Sequence, residues 1–308
     1  VPNNEPDMQY LDAAQLASSA TAAGSAIESS LLSYLGRVNY NYDDRYLATV
    51  TFRADGSSRF GSGNRYGYFP SLALAWKLSN EQFFKKLDQN WLSSLKIRAG
   101  WGQVGNQNID DYMFQNLLSS SAQYAYLYGK PETLYQGVVA VNMGNANVKW
   151  ETTESTNIGF DLGLLNGRFN LSAEYYYKTT KDMLLVEPIP YFLGFETGPM
   201  TNAGKVKNYG FEFQAEWRDN IGKDFNYNIG GNISTIKNEV LSLGTGKSIS
   251  GGALKNGNAT LTSVGNPIGS FWGYKTNGLI NTQEELTDVK TRQPNADYGD
   301  VIFLDTSG

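Results

Sequence analysis

Paired carboxylates of the kind that cleave glycosidic bonds have one candidate in this sequence, Glu151 and Glu154. One acid would protonate the leaving oxygen while the other attacks or activates water, so both carboxyls must face the same bond. Two acids near a strand end are more simply the polar lining of a solvated wall, and that is the plainer reading here. The 308 residues contain no His and no Cys. That removes Ser-His-Asp and Cys-His nucleophiles, the usual zinc sites and the commonest general base near neutral pH. Gly244-Thr245-Gly246-Lys247-Ser248 has the tail of a phosphate-binding loop. The motif requires a Gly where Leu241 stands, and a Gly-rich stretch rather than a helix follows. No other residue pattern asks for a metal or a cofactor.

The remaining chemistry is recognition without covalent steps. Tyr124, Tyr126 and Tyr128 lie in the longest connection of the chain, and Phe271, Trp272 and Tyr274 in the last one. Their rings could stack on sugar faces, while Asn106, Gln107 and Arg98 could satisfy hydroxyl or peptide groups. The same rings could pack loops together or meet a partner protein. A net charge of −5 with scattered Lys and Arg excludes a basic stripe for nucleic acid.

The elements that must position these residues alternate with period two. Tyr34, Val38, Tyr40 and Tyr42 alternate with Arg37, Asn39 and Asn41, and Ala48, Val50 and Phe52 with Thr49, Thr51 and Arg53. Leu72, Leu74, Trp76 and Leu78 form the apolar side of a third strand; Leu95, Ile97, Ala99 and Trp101 of a fourth. Four more follow, with apolar sides at Ile158–Leu164, Phe169–Tyr177, Tyr209–Trp217 and Phe225–Ile233. The segments are about 10 to 13 residues long, enough to cross a bilayer at a tilt and longer than the usual globular strand. Aromatics such as Tyr42, Tyr46, Tyr66, Tyr68 and Phe69 crowd the ends of the apolar sides, where a ring can sit at lipid headgroups. Charged residues make up 18% and mean hydropathy is −0.40, which suits strands with one apolar and one polar face.

Short connections near 43, 79, 166 and 220 take turns with long ones near 55, 103, 181 and 238. Outer-membrane barrels separate periplasmic turns from extracellular loops in this way, whereas a large soluble β-sandwich would not. Asn166-Gly167 reads as a two-residue hairpin turn. Ser79-Asn80-Glu81-Gln82 reads as a capping box opening a short helix through Phe83, Phe84 and Leu87, and another short helix is expected near Met8–Ser19. Charges on the polar side, Arg37, Arg53, Lys96, Arg98, Asp161, Glu174, Glu212, Glu216 and Arg218, must face a lumen. The expectation is an all-β antiparallel transmembrane barrel segment of about eight strands from a larger barrel. Residues 1–30 are read as a loop tail, 31–238 as strands with their loops and 239–308 as an extracellular loop region, with the barrel incomplete at both ends.

RYLATVTFRADGSSRFG followed by NRYGYFPSLALAW resembles the central barrel of the SusC/RagA group of TonB-dependent outer-membrane transporters. SLKIRAGWGQVGNQNI, the Lys149-Trp150-Glu151-Thr152-Thr153 run, NIGFDLGLLNGRFNLSAEYYYKTTKDMLLV, NAGKVKNYGFEFQAEW and VGNPIGSFWGYKTNGLINTQEEL resemble the same family in the same order, across most of residues 31–308. The resemblance implies a barrel of about 22 strands around an N-terminal plug. It implies an outer membrane of a Bacteroidetes-like Gram-negative cell, energy from the TonB complex, and import of oligosaccharides or oligopeptides beneath a SusD-like lipoprotein lid. The plug and the TonB box are not in this sequence, so coupling to TonB stands on the family alone. The resemblance also implies oxygen ligands for calcium at Asp300 and Asp305, where the family's acidic stretch is only partly matched. A soluble β-rich adhesion protein and, behind it, a carbohydrate-active enzyme are the competing readings, and detergent dependence separates them from a membrane barrel.

Overall fold

The computed structural model describes residues 26–86, 91–120, 124–244, 248–254 and 257–304. The expected helix near Met8–Ser19 and Leu87 lie outside these residues. Four long strands come first: β1 (Leu31–Tyr42), β2 (Tyr46–Ser57), β3 (Tyr66–Lys77) and β4 (Leu92–Asn106). The connection after them holds four short strands, β5 (Leu117–Ser119), β6 (Tyr126–Tyr128), β7 (Thr133–Tyr135) and β8 (Val139–Asn142). Long strands then resume as β9 (Glu151–Leu164), β10 (Phe169–Val186), β11 (Met200–Ile221) and β12 (Phe225–Ser234), with β13 (Lys237–Leu243) close behind. The long strands pair antiparallel in the order β1-β2-β3-β4-β9-β10-β11-β12, and β13 continues the last edge along β11.

Register decides what this sheet can face, because directly opposed residues project from the same side. Val38 opposes Val50, Val50 opposes Leu72 and Leu72 opposes Trp101. Farther along, Ile97, Phe160, Ala173, Phe213 and Ile233 form one row across five strands. The eight apolar half-strands therefore merge into a single face. That face is uncovered: Val38 is 68% exposed, Val50 51%, Ile97 41%, Phe213 42% and Ile229 68%. An apolar expanse of this extent is not left open to water by a soluble domain. The soluble alternative fails on this point.

Aromatic residues mark both borders of the face. Tyr46 stacks on Trp76 at 6.2 Å and Phe169 meets Trp217 at 6.3 Å on the short-turn side, while Phe52 stacks on Tyr68 at 6.1 Å and Tyr177 on Tyr209 at 6.3 Å on the other. Beyond the second border the same face turns polar, with ion pairs Lys181–Glu154 at 2.6 Å and Lys207–Glu239 at 2.9 Å. Roughly 9–11 tilted residues span the hydrocarbon. The 18 residues of β10 and 22 of β11 therefore stand well clear of it. No described helix is long and apolar enough to cross a membrane.

Three local expectations are corrected. Ser79–Gln82 does not open a helix: single 3-10 turns form at Leu78–Asn80 and Phe84–Lys86, because Glu81 is extended at φ −74, ψ 147. Its carboxylate is drawn to Tyr46 and Trp76 instead of to a helix start. The 166 turn is wider than two residues, with Leu164 pairing Phe169 and positive φ at Leu165 (53), Asn166 (57) and Gly167 (81). Strands β10 and β11 run into the connections expected near 181, so the link between them shrinks to residues 187–199.

Residues 246–308 form a second compact unit. In it β14 (Ile249–Leu254), β15 (Gly257–Thr262) and β16 (Ser270–Phe271) make a small antiparallel sheet. β17 (Thr276–Leu279), helix α1 (Gln283–Lys290) and β18 (Val301–Phe303) enclose a core of Ile280, Leu286, Val289, Ala296 and Ile302. Thr282 caps α1 through its hydroxyl, 3.2 Å from the Glu285 N–H, and Glu285 answers by accepting the N–H groups of Asn281 and Thr282 at 2.9 Å each. Those two backbone donors hold the Glu285 carboxyl below its ordinary value.

Candidate functional site

The polar side of the sheet is built by the same alternation as the apolar one. Lys96 on β4 opposes Asp161 on β9, which opposes Ser172 on β10, and Glu174 on β10 opposes Glu212 on β11. Lys96 Nζ sits 2.7 Å from Asp161, and Ser172 Oγ donates to Asp161 at 2.8 Å. Arg98 lies between: its Nε is 3.5 Å from Asp161, its Nη2 donates to Ser172 at 3.1 Å, and its Nη1 pairs with Glu174. Asn157 also donates to Glu174, at 2.5 Å. Gly159, across from Arg98, leaves the guanidinium room, since a Cβ there would come within 3.3 Å of it. Arg98, expected from sequence to touch substrate, is thus engaged by the wall itself. Recesses of about 430 and 460 Å³ open beside it, the second lined by Glu212, Gln214, Asn232 and Ser234.

At the long-loop end an apolar cluster forms from Phe60, Phe69, Ile109, Val148 and Trp150, all buried. Trp150 packs on Phe60 at 5.3 Å and on Phe69 at 5.5 Å edge to face, and its indole N–H donates to the Arg65 carbonyl at 2.8 Å. Phe69 lies over Gly67 and Gly105, where a Cβ would fall 2.4 and 2.0 Å from the ring. Arg59 reaches Asp111 at 3.4 Å and the Gln107 carbonyl at 3.5 Å. The stretches that carry the family resemblance meet here, and their aromatic and glycine residues fit one another. Sequence reading did not single out Phe60, Phe69 or Trp150 as a group. The spacing of Gly67 and Gly105 around one large ring is visible only when the strands are paired.

Asn106 and Gln107 stand at the foot of this cluster. Asn106 donates to Glu151 at 3.0 Å and accepts the Asn108 N–H, so it shapes the loop start. Glu151 faces the polar side, whereas Glu154 takes Trp101 Nε1 at 3.3 Å on the apolar side. Three residues apart on one strand, the two carboxyls cannot flank one bond.

The long connection is tied down along its length. Asn202 brackets Lys149 through both backbone groups at 2.8 Å, and Lys149 pairs with Asp182 at 2.9 Å. Met143 donates to Thr197 and Thr197 to Val141, while the Tyr124 hydroxyl donates to Glu196. What projects from this base is the β6–β7 hairpin. Tyr126 stacks on Tyr135 at 6.1 Å and Tyr128 meets Tyr135 edge-on at 6.3 Å, with Tyr128 70% exposed. Tyr135 was missed in the sequence, although the alternation Tyr126-Leu127-Tyr128, then Thr133-Leu134-Tyr135, is a strand signal in miniature.

In the second unit Phe271 is 94% exposed, Trp272 and Tyr274 project likewise, and Tyr274 packs on Phe303 at 5.1 Å. Asp300 accepts the Asp297 N–H at 2.8 Å, and Asp305 lies outside the described residues. Among the described residues no three acidic side chains converge on a point where an ion could sit. The Thr245–Lys247 part of the phosphate-loop-like stretch also lies outside them.

Comparison with known proteins bears on this architecture. A family model described as TonB dependent receptor-like, beta-barrel matches residues 4–300. The chain is 34% identical over 285 residues to TonB-dependent receptor P3 of Formosa agariphila, covering 91% of this chain and 28% of that protein. It is 39% identical over 260 residues to TonB-dependent receptor SusC of Bacteroides thetaiotaomicron, covering 81% and 25%. The RagAB peptide transporter structure superposes with a TM-score of 0.70 at 29% identity, covering 82% of this chain and 26% of that one. The chain spans about a quarter of the length of the curated relatives it matches.

Proposed function

The chain belongs to the TonB-dependent receptor β-barrel family, an outer-membrane receptor family rather than an enzyme class, and on that premise we propose that it forms part of the wall and mouth of a nutrient importer. The substrates are oligosaccharides or oligopeptides, delivered under a SusD-like surface lipoprotein and drawn inward through TonB. One observation carries the reading: the register sorts eight strands into an uncovered apolar face and a hydrogen-bonded polar face, the division that a wide, water-lined barrel requires. Two aromatic groups supply the recognition chemistry, Tyr126, Tyr128 and Tyr135 on the β6–β7 hairpin and Phe271, Trp272 and Tyr274 in the second unit. The hairpin belongs to the long-loop side of the strands, and exposed rings of either group stack on sugar faces or peptide side chains without covalent chemistry. The peptide half of the substrate proposal is supported by the likeness to the RagAB peptide transporter; the glycan half rests on what the family resemblance implies.

The test replaces Tyr126 and Tyr128 with Ala, and separately Trp272 with Ala, in the full-length protein. Substrate binding, uptake and retention of the lipoprotein are then measured side by side. We expect weaker binding and uptake with the lipoprotein still attached. Loss of the lipoprotein alone would reassign the rings to the lid, and no change in any readout would remove them from the site.

A further inference from the structure

The apolar face is not evenly filled. Ala173 is a small residue in a row of large ones, opposed by Phe160 on β9 and Phe213 on β11, and it is only 7% exposed because the neighbouring rings rise around it. Tyr175 and Phe211 close the extracellular end of this hollow, their rings 5.0 Å apart, and Phe211 stacks on Phe213 at 6.1 Å. The result is a groove of about 490 Å³ walled by aromatic edges and floored by a methyl group. Its outward continuation changes character within a few residues. Tyr209 comes next along β11 on the same side, stacked on Tyr177; then Lys207, whose Nζ is 5.8 Å from the Tyr209 ring; then exposed Lys205. Lys181 stands beside them on β10. Lys237 on β13 opposes Tyr209 on the same side. Glu239 and Glu154 answer Lys207 and Lys181, so among these residues four cations stand against two acids at this border. Four residues from Phe211 to Lys207 cover roughly 13 Å along the strand, so one extended molecule reaches both the groove and the cations.

We infer that this groove is a specific site for one acyl chain of an anionic, phosphate-bearing lipid of the outer leaflet, with the phosphate at Lys205 and Lys207 and the chain lying over Ala173. The inference rests on this face meeting the bilayer. A chain in the hollow restores the contacts that the Ala173 methyl leaves unmade against four rings; a second hollow on the face, about 390 Å³ beside Tyr46, Leu74 and Trp76, lies at the short-turn end, away from these lysines. Lys207 over Tyr209 places a cation where the headgroup emerges from the hydrocarbon, and Lys205 adds a charge that no acid among the described residues pairs with.

The experiment uses the full-length protein in phosphatidylglycerol vesicles doped with a phosphatidylglycerol whose acyl chain carries a diazirine, with matched phosphatidylcholine vesicles alongside. After irradiation, the labelled peptides are mapped. We expect adducts concentrated on residues 173–175 and 211–213 and stronger with the anionic lipid. Ala173→Phe, which fills the hollow, should lower that labelling about tenfold, as expected when several methylenes lose their seat. Ala215→Phe, on the same face outside the groove, should leave it unchanged, and Lys205→Ala should reduce the preference for the anionic lipid. Heat-modifiable migration reports whether each variant is folded, and Ala173→Leu serves if the Phe variant is not. Adducts spread evenly over the apolar face would overturn the site while leaving the face in lipid. Absence of adducts from the whole face would overturn the bilayer placement as well. Equal labelling by both lipids, or equal loss in both Phe variants, would also overturn the proposal.

Discussion

Glu81 ties the short-turn end of the first strands together. It accepts from the Tyr46 hydroxyl at 2.7 Å, from Trp76 Nε1 at 3.1 Å and from Arg45 at 3.2 Å, with its side chain 10% exposed. The hydrogen bond from Tyr46, then that from Trp76, hold its carboxyl below the ordinary 4.5, outweighing the opposite push of burial, with Arg45 adding to the effect. A carboxyl depressed on folding stabilises fully above its ordinary value, and that contribution is lost as pH falls through the depressed one. Glu81→Gln should therefore lower the thermal midpoint of the membrane-inserted protein at neutral pH, and the gap to the native protein should close as the pH is taken below 4.5. A gap independent of pH would show that the charge is not what matters. Phe69 offers a second residue-scale test. Gly105→Ala would place a Cβ 2.0 Å from its ring, so the ring must leave Trp150, at a cost of about 1–3 kcal/mol. Trp150→Phe keeps most of the packing and loses one hydrogen bond to Arg65, costing about 1 kcal/mol. Denaturant titration should rank Gly105→Ala as the more damaging of the two.

At the scale of strands, the division into two faces makes a direct prediction. Spin labels at Leu74, Ile97, Phe160 and Phe213 should be quenched by oxygen dissolved in the bilayer, and labels at Thr51, Arg98, Asp161 and Glu212 by an aqueous nickel reagent. The pairings Leu74–Ala99, Ile97–Phe160 and Phe160–Ala173 carry the first set, and Thr51–Ser71, Lys96–Asp161 and Glu174–Glu212 surround the second. A one-residue slip between any two strands would exchange the faces from there on, so a mixed pattern would locate the slip. The last strand adds a feature that alternation could not foretell. Between β12 and β13 the chain bends at Thr235, whose carbonyl accepts the Tyr176 hydroxyl at 3.1 Å and sits where a Cβ on Gly210 would be, 1.9 Å away. A tyrosine on one strand and a glycine on the next thus fix where the edge changes direction.

For the molecule as a whole, the ends of the sheet matter most. Among the described residues β1 and β12 each pair on one side only, which leaves two rows of backbone groups without partners inside the apolar band. Produced by itself, the 308-residue chain should therefore fail to give a stable monodisperse monomer in detergent. Light scattering and heat-modifiable migration check this, and a cooperative, monomeric product would contradict it. The second unit has its own core and capped helix, so its contacts do not depend on closing those edges.

Strand number, strand faces and the membrane setting were legible in the amino-acid order, because alternation has a period of two and needs no partner to be seen. Ile97 and Phe160 read as apolar, and Lys96 and Asp161 as polar, from their own neighbours alone. The family resemblance was legible for a different reason, since its motifs are contiguous runs such as those around Phe60 and Trp150. What those runs do was decided by tertiary structure. Phe69, Gly67, Gly105 and Trp150 become one cluster only when β3 and β4 are set beside each other and a connection folds back over them. Arg98 reads from sequence as a candidate for substrate contact, and only pairing shows that Asp161, Ser172 and Glu174 surround its guanidinium. The helix expected at Ser79 failed because Glu81 found stronger partners on two strands than a helix start could provide. The hollow over Ala173 was invisible for the same reason: a single alanine in an alternating strand becomes a groove only when phenylalanines from both neighbouring strands are placed against it in register.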